Sequence, residues 1–163
     1  PYNWIRKRFL PSQPKAYPVD HLITSGCLMP CRVWQEVGPM NDGLFIDWVD
    51  IEWCARARLK GYVLLLDGGT QMSHSIGEVS RPILWRRFHL HTPIRHFYLL
   101  RNAILIAKKP QFELGWRVHL LLYALRVIVA SLVLGDQRLS RWRFAYQGLL
   151  AGLGGRQGPI GKI

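Results

Sequence analysis

Two carboxylates three residues apart, Asp47 and Asp50, are the pair in this chain that most suggests catalysis. They lie near the start of residues 45–61, FIDWVDIEWCARARLKG, where early acids, late cations and a closing Gly61 predict a helix. A carboxylate in the first turn of such a helix can act as a general base on a hydroxyl group within hydrogen-bond reach. The same spacing fits a helix cap, with Asp47 at the N-cap and Asp50 as its capping-box partner. Spacing alone favours the cap, and it predicts that Glu52 faces away.

Two further side chains are candidate contacts for phosphate or metal. His74 stands alone in a loop after a predicted strand, where it can be a metal ligand, a phosphate contact or a solvated histidine. Spacing alone favours the solvated histidine. Arg101, in the sequence FYLLRN, can bind phosphate through its forked guanidinium group, although a solvated helix face would look the same. A looser histidine group has no carboxylate nearby and predicts no metal site: His89, His91 and His96.

Short strands and one short helix are predicted to flank the acidic pair. Residues 21–29, HLITSGCLM, predict a buried strand in which Gly26 permits a bulge or a close approach of backbone or ligand. A short helix over residues 31–37 follows and ends at Gly38. Residues 62–68, YVLLLDG, predict a second buried strand.

The two ends of the chain have a different character. Prolines and basic residues within residues 1–20 predict a connecting loop. Residues 82–109 predict helix, interrupted or started at Pro93, and residues 114–134 predict a long apolar helix. Arg126 near the middle of that helix would be costly in hydrocarbon, so we expect the helix to lie in a membrane interface or to pack partly on the domain.

The charge of the chain is concentrated in its second half. The sequence has 22 Lys and Arg residues against 10 Asp and Glu residues, and fourteen of those cations but only three of the acids follow Ser75. This excess indicates a polyanionic partner, either nucleic acid or an anionic membrane surface, and the long aliphatic component favours the membrane. Three cysteines lack zinc-site spacing and are predicted to be free thiols in a reducing compartment: Cys27, Cys31 and Cys54.

A compound pattern of motifs resembles a known family. The succession SGCLMPCRVWQEVGPMNDGLFIDWVDIEWCARARLKGY, then HSIG, then FYLLRN is similar to the C-terminal half of bacterial family-two inverting glycosyltransferases. The likeness is greatest to rhamnosyltransferases that build O-antigen and related cell-surface polysaccharides. It implies an α/β fold, the C-terminal portion of a Rossmann-like GT-A domain followed by amphipathic membrane-associated helices. The implied divisions are a connecting loop (1–20), an acceptor-side half (21–80) and a basic helical region attached to the membrane surface (81–163).

The resemblance also assigns roles to residues of the predicted helix. Asp50 falls at the catalytic base, the second member of the family's acidic pair, whereas the first member is replaced here by Val49. Asp47 offers a nearby carboxylate for that supporting role. Either Trp48 or Trp53 is expected to form an aromatic wall against a sugar ring, and the other to pack in the core.

Two residues outside the helix receive roles in the same way. Gly26 falls where a glycine lets the backbone approach the sugar or the acceptor. His74 falls where many GT-A enzymes place a histidine close to the metal and diphosphate. The implied cofactor is a divalent metal, Mg or Mn, in the full-length enzyme, and this chain alone is not expected to bind it.

The implied reaction is direct displacement on a nucleotide sugar. Asp50 would deprotonate an acceptor hydroxyl, which attacks the anomeric carbon of a dTDP-sugar, and the resemblance implies dTDP-rhamnose as that donor. The acceptor would be a saccharide or a lipid-linked saccharide at the cytoplasmic face of the plasma membrane. The family's D-x-D motif and its glycine-rich nucleotide-binding start are absent from the 163 residues. We therefore expect a part of a longer enzyme or a degenerate relative, which alone transfers no sugar. The alternative is a non-catalytic module that binds a membrane surface or nucleic acid, although no nucleic acid is expected with the enzyme.

Overall fold

The structure, a computed structural model, describes residues 16–73, 80–83, 86–89, 91–134 and 136–161. This described part is mainly helical, with short strands and a 3-10 turn at Asp42–Leu44. Its helices are α1 (Cys31–Val37), α2 (Val49–Leu59), α3 (Pro93–Ala107), α4 (Leu114–Leu134) and α5 (Arg138–Leu153). Its strands are β1 (Ala16–Val19), β2 (Leu64–Asp67), β3 (Ser80–Ile83) and β4 (Arg86–His89).

The described residues fall into two compact units. The first unit holds the described residues up to Met40 and those from Asp50 to residue 73. The second unit holds residues 41–49 and the described residues from position 80 onward. The chain passes from the second unit back to the first at the start of α2, because Val49 is assigned to the second unit and Asp50 to the first.

The first unit packs α1 and α2 beside an antiparallel pair of strands. β1 pairs with β2 from Ala16 opposite Asp67 to Val19 opposite Leu64. The indole nitrogen of Trp53 donates to the Gly38 carbonyl at 2.8 Å, and its ring stacks on that of Trp34 at 6.1 Å. The prediction that one of the two tryptophans packs in the core is confirmed for Trp53. The buried core of this unit is Val37, Trp53, Cys54 and Ala57.

Carbonyl groups at the end of α1 have no partners within that helix, and α2 supplies donors for them. Arg56 donates to the carbonyl of Val37 at 2.8 Å and to that of Pro39 at 2.7 Å. Its Nε also forms an ion pair with Glu52 at 3.1 Å, and Glu52 is only 1% exposed. This acidic residue, predicted to face away, therefore has a structural partner inside the unit.

The second unit is built around α3, which packs against both α4 and α5. Glycine on α5 permits the closest approach: a Cβ added at Gly148 would lie 2.4 Å from the Phe97 carbonyl oxygen. A side chain there would have to move the backbone of α3. One face of α4 is buried through Leu120, Ala124 and Ile128, whereas its opposite face is exposed.

Two helix predictions are confirmed closely, and one strand prediction is wrong. The helices predicted over residues 31–37 and 114–134 are α1 and α4. The predicted buried strand over residues 21–29 is instead an open loop, with a turn in which Cys27 N–H donates to the Thr24 carbonyl at 3.1 Å. Leu28 in this loop is 96% exposed, whereas Leu22 and Met29 near its two ends pack against the core of the first unit.

Three other expectations need correction. Residues 16–19 form β1 where a loop was predicted, and proline is tolerated there because a two-stranded sheet leaves each strand one unpaired edge. The second predicted strand, β2, forms but is only half-buried. Helix was predicted from residue 82, yet β3 and β4 form an antiparallel pair there and α3 begins at Pro93.

The α/β prediction is confirmed as a mixed, mostly helical chain. The sheets in the described residues are two antiparallel pairs, β1 with β2 and β3 with β4. The Rossmann-like GT-A arrangement and the membrane association of the helices stay predictions.

Candidate functional site

Asp50 lies in the first turn of α2 and lines a small pocket of the first unit. Its Oδ1 accepts a hydrogen bond from the Ile51 amide at 3.0 Å. The pocket has a volume of about 20 Å³, room for about one water molecule. Its walls are mostly apolar and include Leu22, Met40 and Trp53. A half-buried carboxylate in the first turn of a helix can accept a proton from a hydroxyl group within hydrogen-bond reach.

Two titratable neighbours of Asp50 were missed at the sequence level. Burial lowers the pKa of His21, while the negative charges of Asp50 and Asp20 act in the opposite direction. Burial also raises the pKa of the Cys54 thiol, and Asp50 adds to that rise, although a bond with Leu22 opposes it. The imidazole of His21 is therefore favoured in its neutral form and Cys54 in its thiol form. Cys54 lies four residues after Asp50 on α2, a spacing that places both side chains on one face of the helix, whereas His21 comes from a separate segment that no spacing pattern links to Asp50.

The prediction that Asp47 caps α2 is wrong. Helix α2 begins at Val49, so Trp48 rather than Asp47 precedes its first residue. Asp47 has a φ of 62°, in the left-handed region, instead of the extended conformation of an N-cap. Its carboxylate forms an ion pair with Arg95, with Nε to Oδ2 at 3.2 Å and a second bond from Nη2 to Oδ1.

The loop that carries Asp47 has an unusual backbone. Phe45, Asp47 and Trp48 have φ values of 64°, 62° and 67°. Left-handed φ values are uncommon outside glycine, and for bulky residues such as Phe and Trp they are outliers. Strained backbone of this kind is concentrated at functional sites, where the surrounding structure holds it. We call residues 43–48 the strained loop.

Arg101 and Asn102 of α3 bind the carbonyl groups of the strained loop. The Asn102 Nδ2 donates to the carbonyls of Leu44 at 2.9 Å, Ile46 at 2.7 Å and Asp47 at 3.1 Å. The Arg101 Nη2 donates to the Leu44 carbonyl at 2.8 Å and to that of Gly43 at 3.3 Å. Both side chains are fully buried, with exposed fractions of 0%.

The rest of the Arg101 guanidinium group is also engaged. Nε donates to the Asn102 side-chain oxygen at 2.8 Å, and Nη1 donates to the Gly158 carbonyl. The guanidinium carbon lies 5.2 Å from the Phe97 ring centre and 5.0 Å from that of Tyr98. Burial lowers the pKa of Arg101. Arg101 thus lies in the interior rather than on a solvated helix face. Its contact with phosphate stays a prediction that would require these bonds to open.

Trp48 starts a row of aromatic rings in the second unit. Its indole nitrogen donates to the Leu99 carbonyl at 3.1 Å, and its ring meets Tyr123 edge-on at 5.2 Å. On α4 the row continues through His119, 6.5 Å from Tyr123, to Trp116, 5.8 Å from His119. Trp48 is half-buried and Tyr123 is 42% exposed, so part of the row faces solvent.

The remaining predicted site residues have different outcomes. Gly26 has a φ of 73° in an exposed turn, and a Cβ there would lie 3.0 Å from the Met72 methyl carbon. Glycine is thus required by the turn itself, and its approach to substrate stays a prediction. His74 lies outside the described residues. In the part of the chain that the structure describes, no group of three or more His, Cys, Asp or Glu residues is arranged to hold a metal ion.

The structure thus divides the predicted site between the two units. Asp50 and Gly26 belong to the first unit. Asp47, Trp48 and Arg101 belong to the second unit, where the strained loop joins them.

Comparison with known proteins finds a relative whose name states an activity. The chain is 32% identical over 139 residues to a protein of Shigella flexneri named dTDP-rhamnosyl transferase RfbF. The match covers 85% of this chain and 46% of the relative, in its C-terminal part, so the chain spans about half the length of the curated relative. No protein-family model matches the chain. No solved structure matches it either. The resemblance to the C-terminal half of rhamnosyltransferases is confirmed by this match.

Proposed function

We propose that this chain forms the acceptor side of an inverting glycosyltransferase, with Asp50 as the catalytic base. The sugar moved is L-rhamnose from dTDP-rhamnose, in keeping with the name of the Shigella relative. The observation that carries the proposal is the position of Asp50, half-buried in the first turn of α2 and lining a pocket of about 20 Å³. The acceptor is a saccharide or a lipid-linked saccharide.

The proposed step is a single displacement. The Asp50 carboxylate takes the proton of an acceptor hydroxyl as that oxygen attacks the anomeric carbon of the donor. The bond from that carbon to the diphosphate breaks, and dTDP leaves with the electron pair. Asp47 and Trp48 contact the acceptor from the strained loop.

A divalent metal, Mg or Mn, in the full-length enzyme is part of the proposal. The described residues of this chain do not gather a metal-binding group, and His74 is not among them. We therefore assign no step of the reaction to a metal held by these residues. The donor nucleotide and its metal are proposed to bind outside the described residues.

Exposed apolar faces on α4 and α5 support attachment to the cytoplasmic surface of the bacterial plasma membrane. The exposed apolar residues of each face recur at helical spacing. On α4 they include Val118, Leu122, Leu125, Val129 and Val133, and on α5 they include Leu139, Trp142, Tyr146, Leu150 and Leu153. By length and composition alone, residues 114–133 of α4 are apolar enough to cross a membrane, with a mean hydropathy of 1.6. Arg126 is exposed within this stretch, which favours a helix in the interface.

Replacement of Asp50 tests the proposed base. In the full-length protein, assayed with dTDP-rhamnose and a lipid-linked saccharide, Asp50→Asn should lower kcat by about 10²-fold or more while donor binding is retained. Asp42→Asn is the matched control, since Asp42 is exposed and close in sequence, and it should transfer at the wild-type rate. Wild-type turnover by Asp50→Asn would show that the base is another group. The 163-residue chain alone should transfer no sugar.

A non-catalytic membrane-surface module is the second candidate, favoured by the same exposed apolar faces. Full-length protein that binds anionic vesicles but transfers no sugar from dTDP-rhamnose to any saccharide acceptor would support this candidate over the enzyme.

A further inference from the structure

Helix α3 makes several of the contacts that hold the strained loop. Its partners on α3 are Arg95, Leu99, Arg101 and Asn102. Arg95, Leu99 and Asn102 recur about once per turn, and Arg101 is next to Asn102. Tyr98 on the same face contacts the Phe45 ring, with centres 5.1 Å apart. Residues three, four and seven apart share a helix face, so α3 acts as a rigid template along the loop.

The backbone bonds of this template explain why the strain persists. One amide nitrogen of Asn102 meets three loop carbonyls, which must therefore point toward the same side of the loop. Without Asn102, the partly buried carbonyls of Ile46 and Asp47 would lose this donor, whereas the Leu44 carbonyl would keep its bonds from Arg101 and from the Ile46 N–H. Loss of the donor to a partly buried carbonyl costs free energy. Relaxation of the left-handed residues would break these bonds. A loop backbone without these left-handed residues is therefore disfavoured.

Helix α3 also holds the side chains of two loop residues, Asp47 and Trp48. Arg95 holds both carboxylate oxygens of Asp47, and the Leu99 carbonyl accepts from the Trp48 indole. The ring of Trp48 is also set by its edge contact with Tyr123. A carboxylate and an aromatic ring held in one arrangement lose little freedom when a ligand binds, so their contacts give more affinity.

We propose that Arg101 and Asn102 are positioning residues that hold the strained loop ready for an acceptor saccharide. They do not touch the saccharide; they fix the backbone from which Asp47 and Trp48 contact it. The saccharide part of this inference rests on the proposed function, whereas the hold on the loop does not. Lysine cannot replace Arg101, because an ammonium group lacks the fork that reaches several carbonyls.

The test uses Asn102→Asp, which keeps the shape of the side chain but removes its donors, and Arg101→Lys, which keeps the charge but removes the fork. Gln71→Glu and Arg143→Lys are the matched controls, because both residues are exposed. In the full-length protein, hydrogen exchange at residues 44–48 should rise by about tenfold or more in both test variants. Exchange within α4 should stay as in the wild type, and the controls should change neither.

Kinetics then separate positioning from a merely structural role. The KM for the saccharide acceptor should rise at least about tenfold in Asn102→Asp and Arg101→Lys, with the KM for dTDP-rhamnose unchanged. Unchanged exchange at residues 44–48 would overturn the hold on the loop. Faster exchange with an unchanged acceptor KM would overturn the positioning role. Absence of transfer by the wild-type protein would count against the proposed function, and faster loop exchange would still support the hold on the loop. If Asn102→Asp fails to fold, Arg101→Lys supplies both measurements.

Discussion

Both carboxylate oxygens of Asp47 accept hydrogen bonds from the guanidinium group of Arg95, a residue 48 positions later in the chain. The side chains are only 10% and 25% exposed, so water screens this ion pair less than a surface pair. The pair replaces the helix cap that the sequence predicted for Asp47. It ties the strained loop to the first turns of α3.

Loss of this ion pair should destabilise the protein measurably. Arg95→Ala leaves the Asp47 carboxylate largely buried without its forked partner, and we expect a loss of about 1–3 kcal/mol in the free energy of unfolding. Urea unfolding of Arg95→Ala, Asp47→Ala and the double variant gives the coupling energy, which corrects for other contacts of Arg95. A coupling energy below about 0.3 kcal/mol would contradict the importance of the pair.

Attachment to membranes should depend on charge. Sedimentation with vesicles rich in anionic lipid should fall sharply between about 0.1 M and 1 M salt, where the screening length drops from about 10 Å to about 3 Å. Arg126→Glu should weaken binding, whereas Arg32→Glu on the first unit is the charge-matched control and should not. Equal binding at both salt concentrations, or equal binding to neutral vesicles, would indicate deep insertion of α4 instead.

Stability should fall on acidification because of buried histidine. His96 is fully buried, its Nδ1 bonds to the Thr92 carbonyl at 3.2 Å, and burial lowers its pKa below the usual 6.5. Below about pH 6.5 the unfolded chain therefore binds more protons than the folded chain, so the free energy of unfolding decreases as the pH is lowered. Above that pH the contribution of His96 is fully present.

His96→Phe isolates this contribution, because His21 and His91, whose pKa values burial also lowers, remain in the variant. Urea unfolding at several pH values should show a smaller loss between pH of about 7 and 5 in His96→Phe than in the wild type. An identical pH dependence in the two proteins would mean that His96 does not titrate in this range.

Local signals were sufficient for some elements and failed for others. Helix α1 lies between Pro30 and Gly38, and α4 is a long apolar run, so neighbouring residues fix both. Apolar composition misled the prediction for residues 21–29, because a strand and an exposed apolar loop share it.

The candidate site shows the same division. Asp50 was predicted from its place at the start of a helix and from family resemblance, and its position in the first turn of α2 agrees with the local sequence. The pocket beside it was not predicted, because its walls come from separate segments that include Leu22 and Met40. The roles of Arg101 and Asn102 were not predictable. Their acceptors are loop carbonyls 55 to 58 positions away, and burial cannot be read from a helix face alone.

The glycine-rich segment after α5 forms hydrogen bonds with the strained loop and with α3. Gly158 N–H donates to the Gly43 carbonyl at 2.7 Å, the Gly158 carbonyl accepts from Arg101, and Ile160 N–H donates to the Tyr98 hydroxyl at 2.9 Å. These bonds join parts of the second unit that are far apart in sequence, and such contacts form late in folding. During synthesis on the ribosome, the loop therefore cannot complete its bonds until Gly158 has emerged from the exit tunnel.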